Sequence, residues 1–175
     1  MSAALAPVTA QDHCKGPRTA ALVLVQYGDY ECPHTRRSNA EVAAVQAELG
    51  LDLLFVFRHF PLTEIHPHAQ RAALAAESAA ASGLFWPMHD ALFAHQRDLS
   101  DGGLEKAAAA AGVDPASILA DVGQAAGLSR VRDDIRSGLA AGVLGTPTFF
   151  ANGTVHAGPY ASEALVRALR RDAGR

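Results

Sequence analysis

The sequence predicts a single α/β domain over residues 1–175, in the order β-α-β, a block of helices, then β-β-α. Three observations carry this. The continuous apolar run Ala21 to Val25, extending to Tyr27, has the character of a strand covered on both faces, and a second such run spans Leu51 to Phe57. Between His66 and Gly142 strand patterns give way to helical ones. Asn152-Gly153 then separates two short β-prone runs, the signal of a tight hairpin whose two central positions need positive φ.

Taken in order, residues 1–18 read as an irregular lead-in, punctuated by Gly16 and Pro17. After the first strand the pattern turns helical at Cys32, with Pro33 as first helical residue, where a missing N–H is harmless and a fixed φ helps. Polar Arg36 to Asn39 are followed by Val42, Val45 and Leu49 at helical spacing, and Gly50 supplies a stop. A right-handed crossover then makes the strand at Leu51 to Phe57 parallel to the first.

The helical insertion, residues 66–142, divides into helices at Pro67 to Ala81, Trp86 to His95, Leu104 to Ala111, Pro115 to Val122 and Leu128 to Ala141. Pro87 and Pro115 fit first turns, and Gly83, Gly112 and Gly127 mark breaks. Phe85, Met88, Leu92 and Phe93 recur on one face and read as core. The hairpin arms are Thr148 to Phe150 and Thr154 to His156, and a helix from Tyr160 to Arg171, with Ser162 available as its cap, closes the chain.

With 175 residues, 49% of them hydrophobic and 19% charged, the chain can bury one sizeable core without disulfide staples. A net charge of −3 and the lack of a basic run argue against nucleic acid or an anionic membrane as partner, and leave small molecules or proteins. Met1 to Ala10 carry no Lys or Arg and are broken by Pro7, which is not the pattern of a signal peptide. The expected location is the cytoplasm, where thiols stay reduced.

The candidate nucleophile is Cys32. A cysteine at a helix start faces free backbone N–H groups, here of His34 and Thr35, and the positive end of the helix dipole. In such settings a thiol pKa falls from about 8.5 to roughly 3.5–7.5. This predicts an exposed, reactive sulfur. The other cysteine, Cys14, precedes the first strand, which is expected to hold the two at opposite ends and prevent a bridge. Of the eight histidines, His66-Pro-His68 and Cys32-Pro-His34 are too closely spaced for a usual zinc site, so no metal is expected.

The motifs Asp12-His13 with Gly16-Pro17, Tyr27-Gly-Asp-Tyr-Glu-Cys-Pro, Arg58-His-Phe-Pro-Leu, His66-Pro-His-Ala, Phe85-Trp-Pro-Met-His-Asp and Gly145-Thr-Pro-Thr-Phe-Phe occur in one order along the chain. Together they resemble the DsbA-like branch of the thioredoxin superfamily over most of its length. The resemblance implies a thioredoxin fold with a helical insertion, and an active site made of Cys32, Pro33, His34 and Thr35. It also implies that Pro147 is a cis-proline facing Cys32 and that Thr146 offers its backbone to an extended substrate. His59, His66, His68 and His89 fall inside these motifs and are expected to pack or cap.

Two departures from that family pattern coincide. Thr35 stands where the second cysteine of Cys-x-x-Cys belongs, and Gln26 where an acidic residue commonly lies beneath the site. The expected activity is therefore that of a monothiol thiol-disulfide oxidoreductase acting on protein or small-molecule disulfides, by reduction, deglutathionylation or isomerisation. Glutathione or another low-molecular-weight thiol, not a bound cofactor, would release Cys32. Thr35 could hydrogen-bond the thiolate and protonated His34 could add positive charge, while Asp29 and Glu31 read as mostly solvated. The alternatives are a redox-inactive peptide-binding module and, less well supported, a glutathione transferase.

Overall fold

The structure, a computed structural model, describes residues 4–172; the first three residues of the lead-in and the last three of the 1–175 domain lie outside it. Strands β1 (His13–Lys15), β2 (Leu22–Gly28), β3 (Leu53–His59), β4 (Thr148–Ala151) and β5 (Thr154–Val155) form one sheet in the spatial order β1-β3-β2-β4-β5. Helix α1 (Pro33–Leu49) connects β2 to β3, which run parallel in register from Leu22 opposite Leu53 to Gly28 opposite His59. Helices α2 (Ala69–Ala81), α3 (Phe85–Ala94), α4 (Asp101–Ala111), α5 (Pro115–Gly123) and α6 (Leu128–Ala140) lie between β3 and β4, and α7 (Ser162–Asp172) follows β5. This is the thioredoxin-type α/β order expected from the sequence. Among the described residues no helix is long and apolar enough to cross a membrane.

The strands alternate their side chains between two cores, as a pleated sheet requires. Leu22, Leu24, Phe55, Phe57 and Phe149 meet Val42 and Val45 of α1, Leu165 and Leu169 of α7, and the insertion helices. Val25, Tyr27, Leu54, Val56 and Phe150 face the other way and pack with Phe60 and Val143. The hairpin turn has φ of 47° at Asn152 and 84° at Gly153, the positive values its type demands. Asn152 also accepts from Val23 N–H and donates to Leu169 O, both at 2.8 Å, which ties the turn to β2 and α7.

Helices α2, α4 and α7 start at Ala69, Asp101 and Ser162 rather than at Pro67, Leu104 and Tyr160, so Ser162 is the first residue of its helix and not its cap, and two further differences concern the sheet. The lead-in contains β1, antiparallel to the outer edge of β3 with Cys14 opposite Val56. Leu51 belongs to a 3-10 turn, Gly50–Asp52, and is exposed, so β3 begins at Leu53. The first miss has a simple cause: three residues are too few for a period, and the strand forms because an open sheet edge awaits it.

Gly16 secures that edge. Its φ is +98°, and a Cβ there would lie 2.1 Å from the Leu53 carbonyl oxygen. A Gly16→Ala substitution is expected to cost more than about 1 kcal/mol, since both the conformation and the space exclude a side chain. Urea denaturation measures this; an unchanged midpoint would contradict the assignment.

Candidate active site

Cys32 is the N-cap of α1, in extended backbone with φ −74° and ψ 120°, and Pro33 is the first helical residue. Its carbonyl accepts the Arg36 N–H at 3.1 Å, so the first helical hydrogen bond starts on the nucleophile itself. Its thiol makes no capping bond to the helix. Instead Sγ donates to the Thr146 carbonyl oxygen at 3.3 Å, across 114 residues of sequence. The Thr146–Pro147 peptide bond is cis. Gln96, just past α3, donates through Nε2 to the carbonyls of Tyr30 at 2.8 Å and Cys32 at 2.9 Å.

The expectation of an exposed sulfur is corrected by this geometry. Cys32 is only 3% exposed, because the proline loop lies against its thiol. Thr35 is fully buried and its hydroxyl accepts the Asp29 N–H at 3.4 Å, so its partner is the turn rather than the thiol. Arg37 donates to Nδ1 of exposed His34 at 2.8 Å. A guanidinium only donates, so Nδ1 is the acceptor in this contact, which brings the Arg37 cation beside the His34 ring. Gln26 is buried and donates to Ser38 Oγ at 2.9 Å, which in turn donates to Thr35 O at 2.7 Å.

Asp29 and Glu31 are also not the solvated charges the sequence suggested. Asp29 is buried and accepts from Glu31 N–H at 2.8 Å, Leu62 N–H at 2.9 Å and His66 Nδ1 at 2.8 Å. Glu31 binds both the backbone N–H of His68, at 2.7 Å, and its ring Nδ1, at 3.1 Å, at the start of α2. The turn that carries Cys32 is thus clamped by two carboxylates whose partners lie more than thirty residues away in sequence. No local pattern could have shown it.

Behind the turn, buried Tyr30 meets His89 Nδ1 at 3.0 Å. Burial, reinforced by the charge of Glu77, pushes the Tyr30 phenol well above its ordinary pKa, and burial with the charge of Lys15 holds the His89 imidazole well below its own. Nearby, Glu77 Oε1 accepts from His13 Nε2 at 2.6 Å and His59 Nε2 at 2.7 Å. These three are ligand-type side chains that converge among the described residues. Their separations are those of N–H···O bonds, and a carboxylate receiving two ring N–H groups accounts for the arrangement.

The Glu77 site carries a pH prediction. Burial pushes this carboxyl up, but the hydrogen bonds from His13 and His59, with their charge when protonated, outweigh it and leave Glu77 well below its ordinary value of 4.5. A depressed folded-state pKa gives stability that is fully present above 4.5 and is lost as pH falls through the folded value. Glu77→Gln is therefore expected to flatten the acid side of a melting-temperature profile. An acid limb as steep as that of the unaltered protein would contradict this.

Cys14 sits mid-strand in β1, opposite Val56, with β3 between it and β2. Through Val56 it lies level with Val25 in the middle of β2, whereas Cys32 lies beyond the end of β2, at the head of α1. Both cysteines are free. Cys32 follows the end of β2 as expected from sequence, while Cys14 lies in an outer strand, two places from β2 in the sheet. Burial pushes the Cys14 thiol above its ordinary pKa despite the nearby Arg18, which makes it a poor thiolate at neutral pH.

Comparison with known proteins places this geometry. A family profile described as Thioredoxin matches residues 9–171. The chain belongs to the thioredoxin family. The fold of this thioredoxin-family chain superposes on BdbD from Bacillus subtilis with a TM-score of 0.88, at 20% identity and covering 99% of both chains. On a thioredoxin-like oxidoreductase from Silicibacter pomeroyi the TM-score is 0.85, at 22% identity and 95% of each chain. Its architecture is therefore the DsbA-like one, a thioredoxin fold with a helical insertion.

In sequence, the thioredoxin-family chain is 46% identical over 167 residues to Na(+)/H(+) antiporter NhaA 1 of Mycobacterium sp. (strain KMS), covering 94% of this chain and 27% of that protein. It is 40% identical over 159 residues to Na(+)/H(+) antiporter NhaA 3 of Salinispora tropica, covering 24% of it. The chain spans about a quarter of the length of these curated relatives.

Proposed function

We propose that this protein is a monothiol thiol-disulfide oxidoreductase that works through Cys32 on protein or small-molecule disulfides. The observation that carries the reading is the single sulfur at the start of α1, set 3.3 Å from the carbonyl of Thr146 beside cis Pro147. No second thiol accompanies it: Thr35 occupies the fourth position and Cys14 is in the outer strand.

In the first step the Cys32 thiol gives its proton to solvent and the thiolate attacks one sulfur of the substrate disulfide. A mixed disulfide forms on Cys32 and the other sulfur leaves as a thiolate that takes up a proton. An extended substrate would replace the Sγ contact at Thr146. With no internal thiol to attack the intermediate, an external one must: its thiolate attacks the substrate-derived sulfur of the mixed disulfide, the bond to Cys32 breaks, and Cys32 departs as a thiolate that takes up a proton. Glutathione or a similar small thiol fills that role, and we place the reaction in the cytoplasm, where such thiols are held reduced.

Protein exposed to glutathione disulfide is expected to gain a single glutathione at Cys32 and none at Cys14, read by peptide mass mapping. It is also expected to turn over protein–glutathione mixed disulfides when free thiol is supplied. Absence of both adduct and turnover overturns the proposal. One observation favours a second reading, a binding module for extended peptides: the thiol is covered and its proton is engaged by Thr146. That reading predicts peptide binding with no exchange.

A further inference from the structure

Beside the Cys32 turn two cavities adjoin. One, of about 180 Å³, is lined by Pro33, Arg36, Arg37 and Gln96. The other, of about 420 Å³, is lined by Arg36, His95, Arg97, Asp98 and Lys106 together with small residues. Arg36 walls both, so they form one trough from the residue after the nucleophile to α4. Its larger part falls within the range of small-molecule sites, about 300–1,000 Å³. Gln96 joins it to the site, since the same side chain holds the Cys32 carbonyl.

The charge of this trough is one-sided. Arg36, Arg37, Arg97 and Lys106 line it against one carboxylate, Asp98. Asp98 already accepts from the hydroxyl and backbone N–H of Ser100, and shares its field with Lys106. Arg37 is engaged by His34. Among the described residues no ion pair or hydrogen bond engages the side chains of Arg36, Arg97 or Lys106. The nearby Asp101 is paired with Arg71. Unpaired cations around a cavity match a ligand with carboxylate or phosphate groups, and guanidinium suits carboxylate by its two-pronged geometry.

We infer that the trough seats the anionic groups of the low-molecular-weight thiol that releases Cys32, with Arg36, Arg97 and Lys106 holding its carboxylates. This rests on the monothiol reading above, and it adds which external thiol the site accepts: an anionic one such as a small acidic peptide thiol. The release step balances as a thiol exchange. The seated thiol loses its proton to solvent, its thiolate forms a new S–S bond with the substrate-derived sulfur of the mixed disulfide, and the Cys32 sulfur leaves as a thiolate that is reprotonated.

The test loads Cys32 of the full chain with 2-mercaptoethanol as a neutral mixed disulfide and follows its release by mass spectrometry. Glutathione is compared with glutathione diethyl ester, in which the carboxylates are masked, each rate being normalised to that thiol's reaction with free hydroxyethyl disulfide. Glutathione is expected to win by about tenfold, the order of one charge-assisted hydrogen bond. The advantage is expected to shrink toward one in Arg36→Gln/Lys106→Gln and with added salt.

A normalised ratio of one in the unaltered protein overturns the inference and leaves the monothiol reading standing. So does a ratio that survives in the double variant. Failure to form the adduct, or release by neither thiol, overturns the monothiol reading itself. A second measurement needs no exchange: S-methylglutathione is expected to bind Cys32→Ser protein by calorimetry, weaker when Arg36 and Lys106 are both replaced. Equal binding by the two proteins, or binding of an acidic protein segment in its place, counts against the trough as a small-thiol seat.

Discussion

Replacing Cys32 with serine is expected to abolish thiol exchange, lowering turnover by about 10³-fold or more, because a hydroxyl cannot form the mixed disulfide. The same change is expected to leave the fold at least as stable. Serine is nearly the size of cysteine, and it is a preferred N-cap residue at the position Cys32 occupies. Loss of activity can therefore be separated from loss of structure by measuring kcat/KM together with urea denaturation. Cys14→Ser is expected to leave turnover near that of the unaltered protein, since that thiol lies half-buried in β1 with its pKa pushed up by burial. Substantial exchange in Cys32→Ser, or its loss in Cys14→Ser, would mean that the wrong sulfur has been assigned.

Arg58→Met is expected to destabilise the protein by about 3–5 kcal/mol, the range for breaking a buried ion pair on one side. Arg58 is buried at the end of β3 and binds Asp12 at 2.9 and 3.2 Å, Tyr27 Oη at 3.0 Å and the carbonyls of Ala6 and Pro7, each at 3.0 Å. Without it the buried Asp12 carboxylate keeps the Thr9 N–H, at 2.7 Å, and a single cation, Arg130, at 3.1 Å, and the lead-in loses its anchor to the sheet. Burial alone would push the Asp12 carboxyl up, but the hydrogen bonds from Arg58 and the Thr9 backbone, with the charges of Arg58 and Arg130, bring it below its ordinary value. Its contribution thus holds above about 3.9 and fades as pH falls further. Denaturant unfolding measures the cost. A shift under about 1 kcal/mol would show that Arg58 is not an anchor, and partial recovery in Asp12→Asn/Arg58→Met would identify the stranded charge as the cause.

Much of the site was legible because its key residues declare themselves by position. Cys32-Pro33 marks a helix start through proline's fixed φ, and the apolar runs on either side of that helix identify two covered strands. The clamps around the turn were not legible. Asp29 and Glu31 look like surface acids in a Tyr-Gly-Asp-Tyr-Glu segment, and become hydrogen-bond acceptors, Asp29 buried and Glu31 half-buried, only when the segment after β3 brings His66 and His68 back beside them. Thr35 looked like a partner for the thiol until folding placed the Asp29 N–H against it. Gln96 carries no motif, yet it joins the insertion to the Cys32 carbonyl.

The sequence by itself determined the order of the elements, the hairpin at Asn152-Gly153 and the lone sulfur at the head of α1. Those depend on hydrophobic period and on local backbone chemistry, which act over a few residues. Only the tertiary structure decided that β1 forms, that the thiol is covered by the Thr146-Pro147 loop, and that unpaired arginines and a lysine gather beside it. A sheet edge, a buried polar partner and a pooled surface charge are each made by residues far apart along the chain. Their energies exist only once the chain has closed on itself.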